Sequence, residues 1–485
     1  MPPLIQAENL TFWFDQNAPP LIEGLNLTIH PGECLMLIGP SGCGKSTLAF
    51  ILAGLYPEYA GCLVGSVSCA SGPLSELTPD LKARRVSILF QNSDDQFCMD
   101  TVGSELLFTL ENLNHQGDFS LKVQELLSLV GLNGFESRSV MELSGGEKQK
   151  LSLAAAIAVK PDLLILDEPL ANLDADSAAE FVKLLERLHR EGTALMIVDH
   201  ILDRWLSLVS RFAVMDSKGR LIFDDLKTGD LAQKSELFNC LGLIPIGGHC
   251  FPRKRKYPSQ PEIVLKAQGL TVKRRGKVIL RDLDLQLSKG SLTAVLGANG
   301  SGKTTLFLTL AGLLRKKGRL TVQGPVGLVF QNPGFQFLAQ SVLDEVLLSL
   351  APGGAAKRNS SFSGHDLAAL GRDDSGPAAK ALELIEEFKL SDKHRLSPWR
   401  LSQGEQRRLA VLTMLCKEQN LLFLDEPTYS QDHHNTLVIM ELLASKVEKG
   451  LTAVIATHDV ALAKAYADKI FTLKDGSLLE NSESF

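Results

Sequence analysis

The sequence predicts an α/β protein made of two similar domains, and three observations carry this prediction. The chain has 485 residues, which is more than a single hydrophobic core normally serves. The same short motifs occur twice in the same order, displaced by a nearly constant number of residues. In each copy, short apolar runs that are typical of buried parallel strands alternate with longer segments of helical character.

Composition and charge restrict the class of protein. Hydrophobic residues make up 45% of the chain and charged residues 22%, as in ordinary globular proteins. The formal net charge of -6 gives no general attraction to nucleic acid, so no nucleic-acid partner is expected. The 8 cysteines form no Cys-x-x-Cys pair, which favours reduced thiols over a zinc site or disulfides. The N-terminus does not resemble a signal peptide, and no apolar run has the length of a membrane span.

The repeat has an offset of 258 residues. This value separates Lys45 from Lys303 (303 − 45). Gln91 and Gln331 are only 240 residues apart (331 − 91), because the second copy is shorter before this glutamine and longer after it. One offset shared by many positions indicates an internal duplication. The 258-residue offset also relates Gly39 to Gly297, Ser144 to Ser402, Asp167 to Asp425, and His200 to His458.

The duplication predicts two domains, at residues 1–245 and 263–485, joined by a linker at 246–262. The linker is rich in glycine, proline and basic residues, which is typical of a solvated connection. A docking patch for an anionic partner is the alternative interpretation of its basic run. Residues from about 351 to 380 are small and polar, and they predict a flexible surface insertion in the second domain.

Two glycine-rich loops, "GPSGCGKST" and "GANGSGKTT", match the pattern Gly-x4-Gly-Lys-Ser/Thr. Each follows an apolar strand and precedes an apolar helix, the setting in which backbone N–H groups surround phosphates. Lys45 and Lys303 are expected to contact the β- and γ-phosphates, and Ser46 and Thr304 to bind Mg²⁺. The alternative, a glycine-rich turn with a chance lysine, is disfavoured by two copies in the same setting. The predicted nucleotide-binding residues are Gly39, Pro40, Ser41, Gly42, Cys43, Gly44, Lys45, Ser46 and Thr47, and Gly297, Ala298, Asn299, Gly300, Ser301, Gly302, Lys303, Thr304 and Thr305.

Two apolar strands, in "LLILDEP" and "LLFLDEP", end in a pair of acids. Continuous apolar character is typical of parallel strands covered on both faces, and such sheets bind ligands at the carboxyl ends of their strands. Asp167 and Asp425 are therefore expected to bind Mg²⁺. Glu168 and Glu426 are expected to act as general bases toward the water that attacks the γ-phosphate. An acidic turn after a core strand is the alternative, which the phosphate loops disfavour.

A histidine ends a further apolar strand in each copy, after "ALMIVD" for His200 and after "TAVIAT" for His458. A lone histidine in such a place is usually structural. Two histidines at the repeat offset, at the same sheet edge as the acids, favour contact with the γ-phosphate and a catalytic role.

The segments "LSGGEKQKLSLAAAIA" and "LSQGEQRRLAVLTMLC" begin with a glycine turn and continue as helices. Ser144 and Ser402 predict N-caps of these helices, a purely structural interpretation. Together with the loops, acids and histidines, however, "LSGGE" resembles the signature motif of the ABC ATPase family. The resemblance covers nearly the whole chain, twice. It implies two tandem P-loop NTPase domains, each with a mainly parallel sheet core, an antiparallel β subdomain and a helical signature subdomain.

The resemblance implies two composite ATP sites, in which the signature motif of one half faces the phosphate loop of the other. Covalent fusion would raise the effective concentration of each half for this intramolecular pairing. The resemblance also implies that Gln91 and Gln331 contact ATP and Mg²⁺, the expected cofactors. The signature residues expected at the ATP are Ser144, Gly145, Gly146, Ser402, Gln403 and Gly404.

Three positions depart from the family pattern. Gln403 replaces the first signature glycine of the second half, which predicts weaker γ-phosphate contacts at the site it serves. The segment "YSQD" at 429–432 differs from the family's Ser-x-Leu-Asp more than "ANLD" at 171–174 does. Phe14 resembles the aromatic residue that stacks on adenine, with a core role as the alternative, whereas its counterpart is Arg274. Both halves keep the lysine, the two acids and the histidine, so both are expected to hydrolyse ATP.

The segments "QNSDDQF" at 91–97 and "QNPGFQF" at 331–337 resemble the Gln-Asn-Pro-Asp-x-Gln segment of energy-coupling factor (ECF) transporter ATPases. The resemblance implies vitamin or metal-ion import in a prokaryote, with the chain bound peripherally at the cytoplasmic face of the cell membrane. The implied partners are a transmembrane scaffold subunit and a substrate-binding membrane subunit. The scaffold is expected to contact the chain near Asp94 and Asp95, which can pair with an arginine, and near Gly334 and Phe335, which can only pack.

A soluble tandem ATPase that acts on a ribosome or nucleic acid is the competing interpretation. Fused sugar-importer ATPases resemble this chain in length, but their second phosphate loop is degraded, whereas Lys303 and Thr304 are intact. Translation ATPases are disfavoured because the linker is short and contains prolines. The ribosome-recycling type is disfavoured because the sequence opens without the iron–sulfur domain of that type.

Overall fold

A computed structural model describes residues 2–171, 173, 175–199, 201–234, 238, 262–274, 276–350, 376–428 and 431–481. The contacts divide the chain into two compact units, Met1–Gly248 and His249–Phe485. Residues 246–261 of the predicted linker and 351–375 of the predicted insertion lie outside the described residues. The domain boundaries at 245 and 263 therefore stay predictions.

The first unit has an α/β composition. Its strands are β1 (Ile5–Trp13), β2 (Ile22–Ile29), β3 (Cys34–Ile38), β4 (Cys62–Cys69), β5 (Gly72–Pro73), β6 (Val86–Leu89), β7 (Leu163–Asp167), β8 (Ala194–Val198), β9 (Arg211–Met215) and β10 (Leu221–Leu226). Its α-helices are α1 (Lys45–Leu52), α2 (Pro79–Arg85), α3 (Val102–Asn112), α4 (Phe119–Val130), α5 (Gly145–Ala156), α6 (Ala175–Arg190) and α7 (Thr228–Leu231).

Two sheets organise this unit. The larger sheet has the order β10-β9-β3-β8-β7-β6, and all of its pairs are parallel except the antiparallel pair of β10 and β9. The smaller sheet, with the order β2-β1-β4-β5, is antiparallel. Helices α3, α4 and α5 pack against one another beside the larger sheet. The predicted parallel core, antiparallel subdomain and helical subdomain are thus all present.

The second unit repeats this architecture. Its strands are β11 (Ile263–Arg274), β12 (Lys277–Ser288), β13 (Leu292–Leu296), β14 (Lys317–Val322), β15 (Val326–Val329), β16 (Leu421–Asp425), β17 (Thr452–Ala456), β18 (Lys469–Lys474) and β19 (Ser477–Glu480). Its α-helices are α8 (Lys303–Leu310), α9 (Val342–Leu350), α10 (Pro377–Glu387), α11 (Gln403–Leu415), α12 (His433–Glu448) and α13 (Val460–Tyr466).

The strand order of the second unit matches that of the first. The large sheet runs β19-β18-β13-β17-β16-β15, again parallel except for the outermost pair β18 and β19. An antiparallel sheet of order β12-β11-β14 accompanies it. Helix α10 takes in residues 377–380, so the predicted insertion ends earlier than residue 380. The reason is local, because Pro377 occupies the first turn of the helix, where its missing N–H costs no hydrogen bond.

The central strands have a core on each side, as their continuous apolar sequences predict. Every residue of β7 is buried. Leu164 and Leu166 belong to the core shared with α3–α5, whereas Leu163 and Ile165 belong to the core shared with β1, β2 and α1. Strand β16 alternates in the same way. Burial on both faces leaves only the strand ends accessible to a ligand, and the acids that follow the apolar runs lie at those ends.

Candidate functional site

The glycine-rich loops connect β3 to α1 and β13 to α8, and their shape depends on glycine at the last position before each helix. Gly44 has φ 99° and Gly302 has φ 105°, conformations that side chains rarely adopt. A Cβ atom on Gly44 would come within 3.3 Å of Leu21, and one on Gly302 within 3.1 Å of Ile279. Only glycine therefore lets the chain turn directly into the helix.

The loop lysines are buried and folded back over their own loops. The ammonium group of Lys45 donates to the carbonyl oxygens of Gly39 and Pro40 at 2.9 and 2.8 Å. Lys303 repeats this geometry with Gly297 and Ala298 at 2.6 and 3.2 Å. Around Lys45 the two carbonyl oxygens are neutral and do not balance the charge of the buried ammonium, so a phosphate anion fits this place.

The hydroxyl groups that follow the lysines reach the strand-end aspartates. Ser46 Oγ donates to Asp167 Oδ1 at 3.1 Å, and Thr304 Oγ1 donates to Asp425 Oδ2 at 2.5 Å. Burial raises the pKa of Asp425 above its usual value, and the Thr304 hydrogen bond offsets part of this effect. A buried carboxylate beside a hydroxyl is a suitable donor set for Mg²⁺.

These donors would fill only part of a magnesium coordination shell. Across the described residues, no three His, Cys, Asp or Glu side chains form a cluster able to hold a metal ion. Mg²⁺ commonly binds to one or two protein groups together with phosphate oxygens and waters. The pairs of Ser46 with Asp167 and of Thr304 with Asp425 fit that mode of binding.

The glutamates after the strands share an unusual backbone conformation. Glu168 has φ 44° and Glu426 has φ 53°, in the left-handed region that costs L-residues on the order of 1 kcal/mol. Their N–H groups continue the sheet pairing by donating to Val198 O at 2.8 Å and to Ala456 O at 3.0 Å. Strained backbone of this kind clusters at functional sites. Its occurrence in both units supports a function for the two carboxylates.

Polar side chains lie beside both glutamates in their respective units. In the first, Gln91 Nε2 donates to Glu168 Oε2 at 2.5 Å. In the second, Glu426 Oε2 lies 3.2 Å from His458 Nδ1, and Glu426 Oε1 lies 3.9 Å from the ammonium of Lys303. His200 lies outside the described residues, so its predicted role stays a prediction. The fold thus brings Gln91 to Glu168, and Lys303 and His458 to Glu426.

The serines of the signature segments cap their helices. Ser144 Oγ accepts from Glu147 N at 3.3 Å, and the Glu147 carboxylate accepts from Ser144 N at 2.7 Å. Ser402 and Glu405 form the same reciprocal pair at 3.4 and 2.9 Å. The predicted N-caps are confirmed, and they hold residues 145–146 and 403–404 in the first turns of α5 and α11.

Phe14 follows β1 and is 54% exposed, whereas Phe12 belongs to the core. The Phe14 ring contacts Phe12 and Tyr56 edge-on, with centroid distances of 5.1 and 5.8 Å. The alternative core role therefore falls to Phe12, whereas more than half of Phe14 is exposed. Adenine stacking on Phe14 stays a prediction. At the exposed Arg274 of the second unit, stacking by the guanidinium and the absence of stacking both stay open.

Each unit thus contains a phosphate loop, an Asp–Glu strand end and a capped signature helix in the same order. The "ABC transporter" family model matches residues 22–171 and 280–429, one stretch in each unit. The chain belongs to the ABC transporter family. It is a tandem ABC ATPase, with two family domains in one polypeptide.

Relatives that are named as transport proteins align with nearly the whole length of this ABC ATPase. "Putative HMP/thiamine import ATP-binding protein YkoD" of Bacillus subtilis (strain 168) is 33% identical over 519 residues, covering 98% of this chain and 90% of the relative. A "Putative ABC transporter ATP-binding protein" of Methanosarcina acetivorans is 30% identical over 508 residues, covering 99% and 90%. The tandem domain organisation is therefore shared with these relatives.

Solved structures of tandem ABC proteins have the same fold. The archaeal ribosome recycling factor aABCE1, solved with the ribosomal stalk protein aP1, has a TM-score of 0.61 at 20% identity, covering 97% of this chain and 89% of that chain. A chain of a ribosome-bound archaeal Pelota and ABCE1 structure has a TM-score of 0.69 at 20% identity, covering 98% and 78%. At these identities the likeness is one of fold alone. Within the described residues, no helix has the length and apolar composition needed to span a bilayer.

Two glutamates of this ABC ATPase, which lie outside the predicted site residues, anchor the segments after Gln91 and Gln331. The buried Glu105 accepts from the N–H groups of Cys98 and Met99 at 2.9 and 2.8 Å. Glu345 accepts from Leu338 and Ala339 at 2.8 and 2.7 Å. Both glutamates follow the loop glutamine by 14 residues (105 − 91 and 345 − 331), a repeat that could have revealed them.

Proposed function

We propose that this chain is the ATP-binding and hydrolysing subunit of an importer of the energy-coupling factor type, which takes up a vitamin or a metal ion. The glutamine segments in both ABC domains support the proposal, because each resembles the Gln-Asn-Pro-Asp-x-Gln pattern of such ATPases and departs from it at one position. The import function in the name of the Bacillus subtilis relative, which aligns with 98% of this chain, supports it independently.

An exposed apolar surface beside Gln331 carries the proposal. It consists of Phe335, Leu338 and Trp399, with exposed fractions of 78%, 84% and 52%. Phe337 lies buried beneath it and meets the Trp399 ring edge-on, with a centroid distance of 6.2 Å. Large apolar side chains grouped at the surface are typical of an interaction site. We call these three exposed residues the second-half docking surface, and its proposed occupant is the transmembrane scaffold subunit.

The first half has a different surface at the equivalent positions. Asp95 corresponds to Phe335 (335 − 240), Cys98 to Leu338 (338 − 240) and Met141 to Trp399 (399 − 258). Met141 is 81% exposed, and the turn Ser93–Gln96 has the same 3₁₀ conformation as Pro333–Gln336. We infer that the first half forms an ion pair with an arginine of the scaffold through Asp94 or Asp95. The second half packs against the scaffold through apolar side chains.

The proposed chemistry is ATP hydrolysis in both halves. Bound Mg²⁺ supplies charge neutralisation for the phosphate oxygens. The loop lysines bind the phosphates, and the Ser46–Asp167 and Thr304–Asp425 pairs hold the metal. Glu168 and Glu426 orient and deprotonate the attacking water.

Coupling to the membrane partner is proposed to pass through the glutamine segments. The two halves close on ATP in two composite sites and reopen after hydrolysis. Gln91 contacts the proposed general base Glu168 at one end of its segment, and Glu105 fixes the other end. A change at the nucleotide can therefore move a segment that is tied at both ends.

Fractionation of native cells tests this function against the ribosomal alternative. A lysate containing the affinity-tagged full chain is separated by density, with Mg²⁺ and again with EDTA, which dissociates ribosomes. The importer assignment predicts that the chain floats with membranes under both conditions and is released by detergent. Sedimentation with ribosomes, lost in EDTA, would contradict it and favour a soluble ATPase that acts on the ribosome.

A further inference from the structure

The signature helix α11 carries two consecutive arginines that are almost completely buried. Arg407 is 2% exposed and Arg408 is 5% exposed. The repeat offset places Gln149 and Lys150 at these positions in the first half (407 − 258 and 408 − 258). Lys150 extends outward to the exposed Glu180 at 2.9 Å. Burial of two charges on one helix of the second half therefore calls for a specific set of partners.

Arg407 donates to backbone carbonyl oxygens of two segments, at the start of the glutamine segment and at the end of β16. Its guanidinium donates to Phe330 O at 2.7 Å and to Asp425 O at 3.2 Å, and it also donates to Gln331 O. These bonds tie the signature helix to the glutamine segment and to the end of β16. In the first half, Gln149 makes a smaller link, in which its Oε1 accepts from the hydroxyl of Ser93.

A series of hydrogen bonds connects Arg408 to the signature turn. Arg408 Nε donates to Phe388 O at 3.0 Å, and its Nη1 donates to Gln431 Oε1 at 3.3 Å. Gln431 Nε2 in turn donates to Gly404 O at 3.0 Å. The amide of Gln431 is thus fixed from both ends, by a buried guanidinium and by a carbonyl of the first turn of α11.

The first half has an apolar contact in place of the hydrogen bonds that Gln431 makes. Leu173 is the equivalent of Gln431 (431 − 258) and is 2% exposed. Its Cδ2 lies 3.5 Å from where a Cβ atom on Gly146 would be. An amide in such a buried place is costly unless both of its ends are hydrogen-bonded, which Arg408 and Gly404 accomplish for Gln431.

We propose that Gln431 is a positioning residue for ATP hydrolysis, which fixes the signature turn of the second half through its hydrogen bond to Gly404. Gln403 occupies the place of a signature glycine in the same turn, so this half departs from the first in both elements at once. The bond to Gly404 O orients the peptide unit between residues 404 and 405, at the N-terminus of α11. The inference rests on the proposed ATP hydrolysis but is independent of the importer assignment.

The test is steady-state hydrolysis of ATP by the purified full chain carrying Gln431→Glu. This change keeps the size of the side chain and an acceptor for Arg408, but it replaces the donor to Gly404 with an acceptor. We expect kcat to fall by about fivefold or more, with KM for ATP unchanged within about twofold and the thermal unfolding midpoint preserved. Hydrogen exchange of the first-turn amides of α11 is expected to become faster in the nucleotide-free chain.

Gln419→Glu is the matched control. Gln419 Nε2 also donates to a backbone carbonyl, Met414 O at 2.9 Å, but near the opposite end of α11. We expect this variant to keep wild-type kcat and exchange. Gln431→Leu, which introduces the residue of the first half, serves if Gln431→Glu fails to fold, and the same fall in kcat is expected for it.

Two results would overturn the inference. One is a Gln431 variant with wild-type kcat and unchanged exchange at the first turn of α11. The other is a loss of kcat that follows the loss of thermal stability, or one that Gln419→Glu shares, because either would indicate a merely structural role. If the wild-type chain does not hydrolyse ATP, the proposed chemistry fails, and the exchange measurement still decides whether Gln431 holds the turn.

Discussion

At the residue scale, the strained glutamates are the centre of the proposed chemistry. Both Glu168 and Glu426 adopt left-handed backbone conformations after buried strands, and both carboxylates have polar side chains beside them. The shared backbone conformation favours a common role as general base.

Replacing both glutamates tests that role. Glu168→Gln combined with Glu426→Gln keeps the shape of each side chain but removes its basicity. We expect ATP turnover to fall by about 10²-fold or more while ATP binding is retained, because the lysines and aspartates are untouched. Radiolabelled phosphate release and equilibrium ATP binding measure the two quantities. Substantial residual turnover in the double variant would contradict the general-base assignment.

The thiol of Cys43 in the first phosphate loop is predicted to resist alkylation. Cys43 is 2% exposed, and burial raises its pKa above the usual thiol value, so little reactive thiolate forms near pH 7. We expect a maleimide to modify the exposed Cys98 well before Cys43, and to leave ATP binding intact at that stage. Peptide mass spectrometry over a time course measures both rates. Early modification of Cys43, or loss of ATP binding in step with it, would contradict this prediction.

The positions of residues that are set by short spacing could be predicted from the sequence. Lys45 and Ser46 are fixed by the loop motif, and the folded chain places Ser46 against Asp167 as the motif order implies. The partners of Gln431 and Arg408 could not be predicted, because they join segments 23 residues apart through side-chain rotamers (431 − 408). Such contacts depend on tertiary packing and leave no periodic signal.

At the element scale, the turns after Gln91 and Gln331 link the nucleotide edge of the sheet to the surface. Both form 3₁₀ turns, and a buried glutamate accepts hydrogen bonds from two backbone N–H groups that follow each turn. The sequence motifs did not predict these two glutamates. The two halves keep the same turn geometry, but the second has apolar residues where the first has acids. The surface of each turn can therefore bind a different partner, although the turn is anchored in the same way.

Substitutions in these turns test the proposed asymmetry. Asp94→Ala with Asp95→Ala removes the charge of the first half, and we expect it to weaken assembly with the scaffold more than Gly334→Ala with Phe335→Ala does. Charge pairs desolvated at an interface leave an unpaired partner when one side is removed, a cost of about 2–5 kcal/mol. Pull-down from detergent-solubilised membranes measures the difference. Leu479→Ala, at an exposed position on β19, is the control. Equal losses for both pairs, or no loss, would refute the asymmetry.

At the scale of the whole molecule, the duplication produces two ABC domains that agree in fold and differ in detail. Strand order and the motif order are the same in both units. The residues at the Phe14 and Gln403 positions, the buried arginines and the exposed residues after the loop glutamines all differ. Buried strands and phosphate loops tolerate few residue types, so their pattern can be recognised in the sequence. Surface residues and hydrogen-bonding side chains between segments are free to diverge.

The identity and amount of the proteins that co-purify with the full chain from solubilised native membranes test the central claim most directly. We predict two integral membrane proteins, a scaffold subunit and a substrate-binding subunit, in fixed ratio to this ATPase and retained after washing with high salt. Quantitative mass spectrometry measures that ratio. Recovery of the chain alone, or with ribosomal proteins and no membrane protein in fixed ratio, would contradict the claim that it powers an importer.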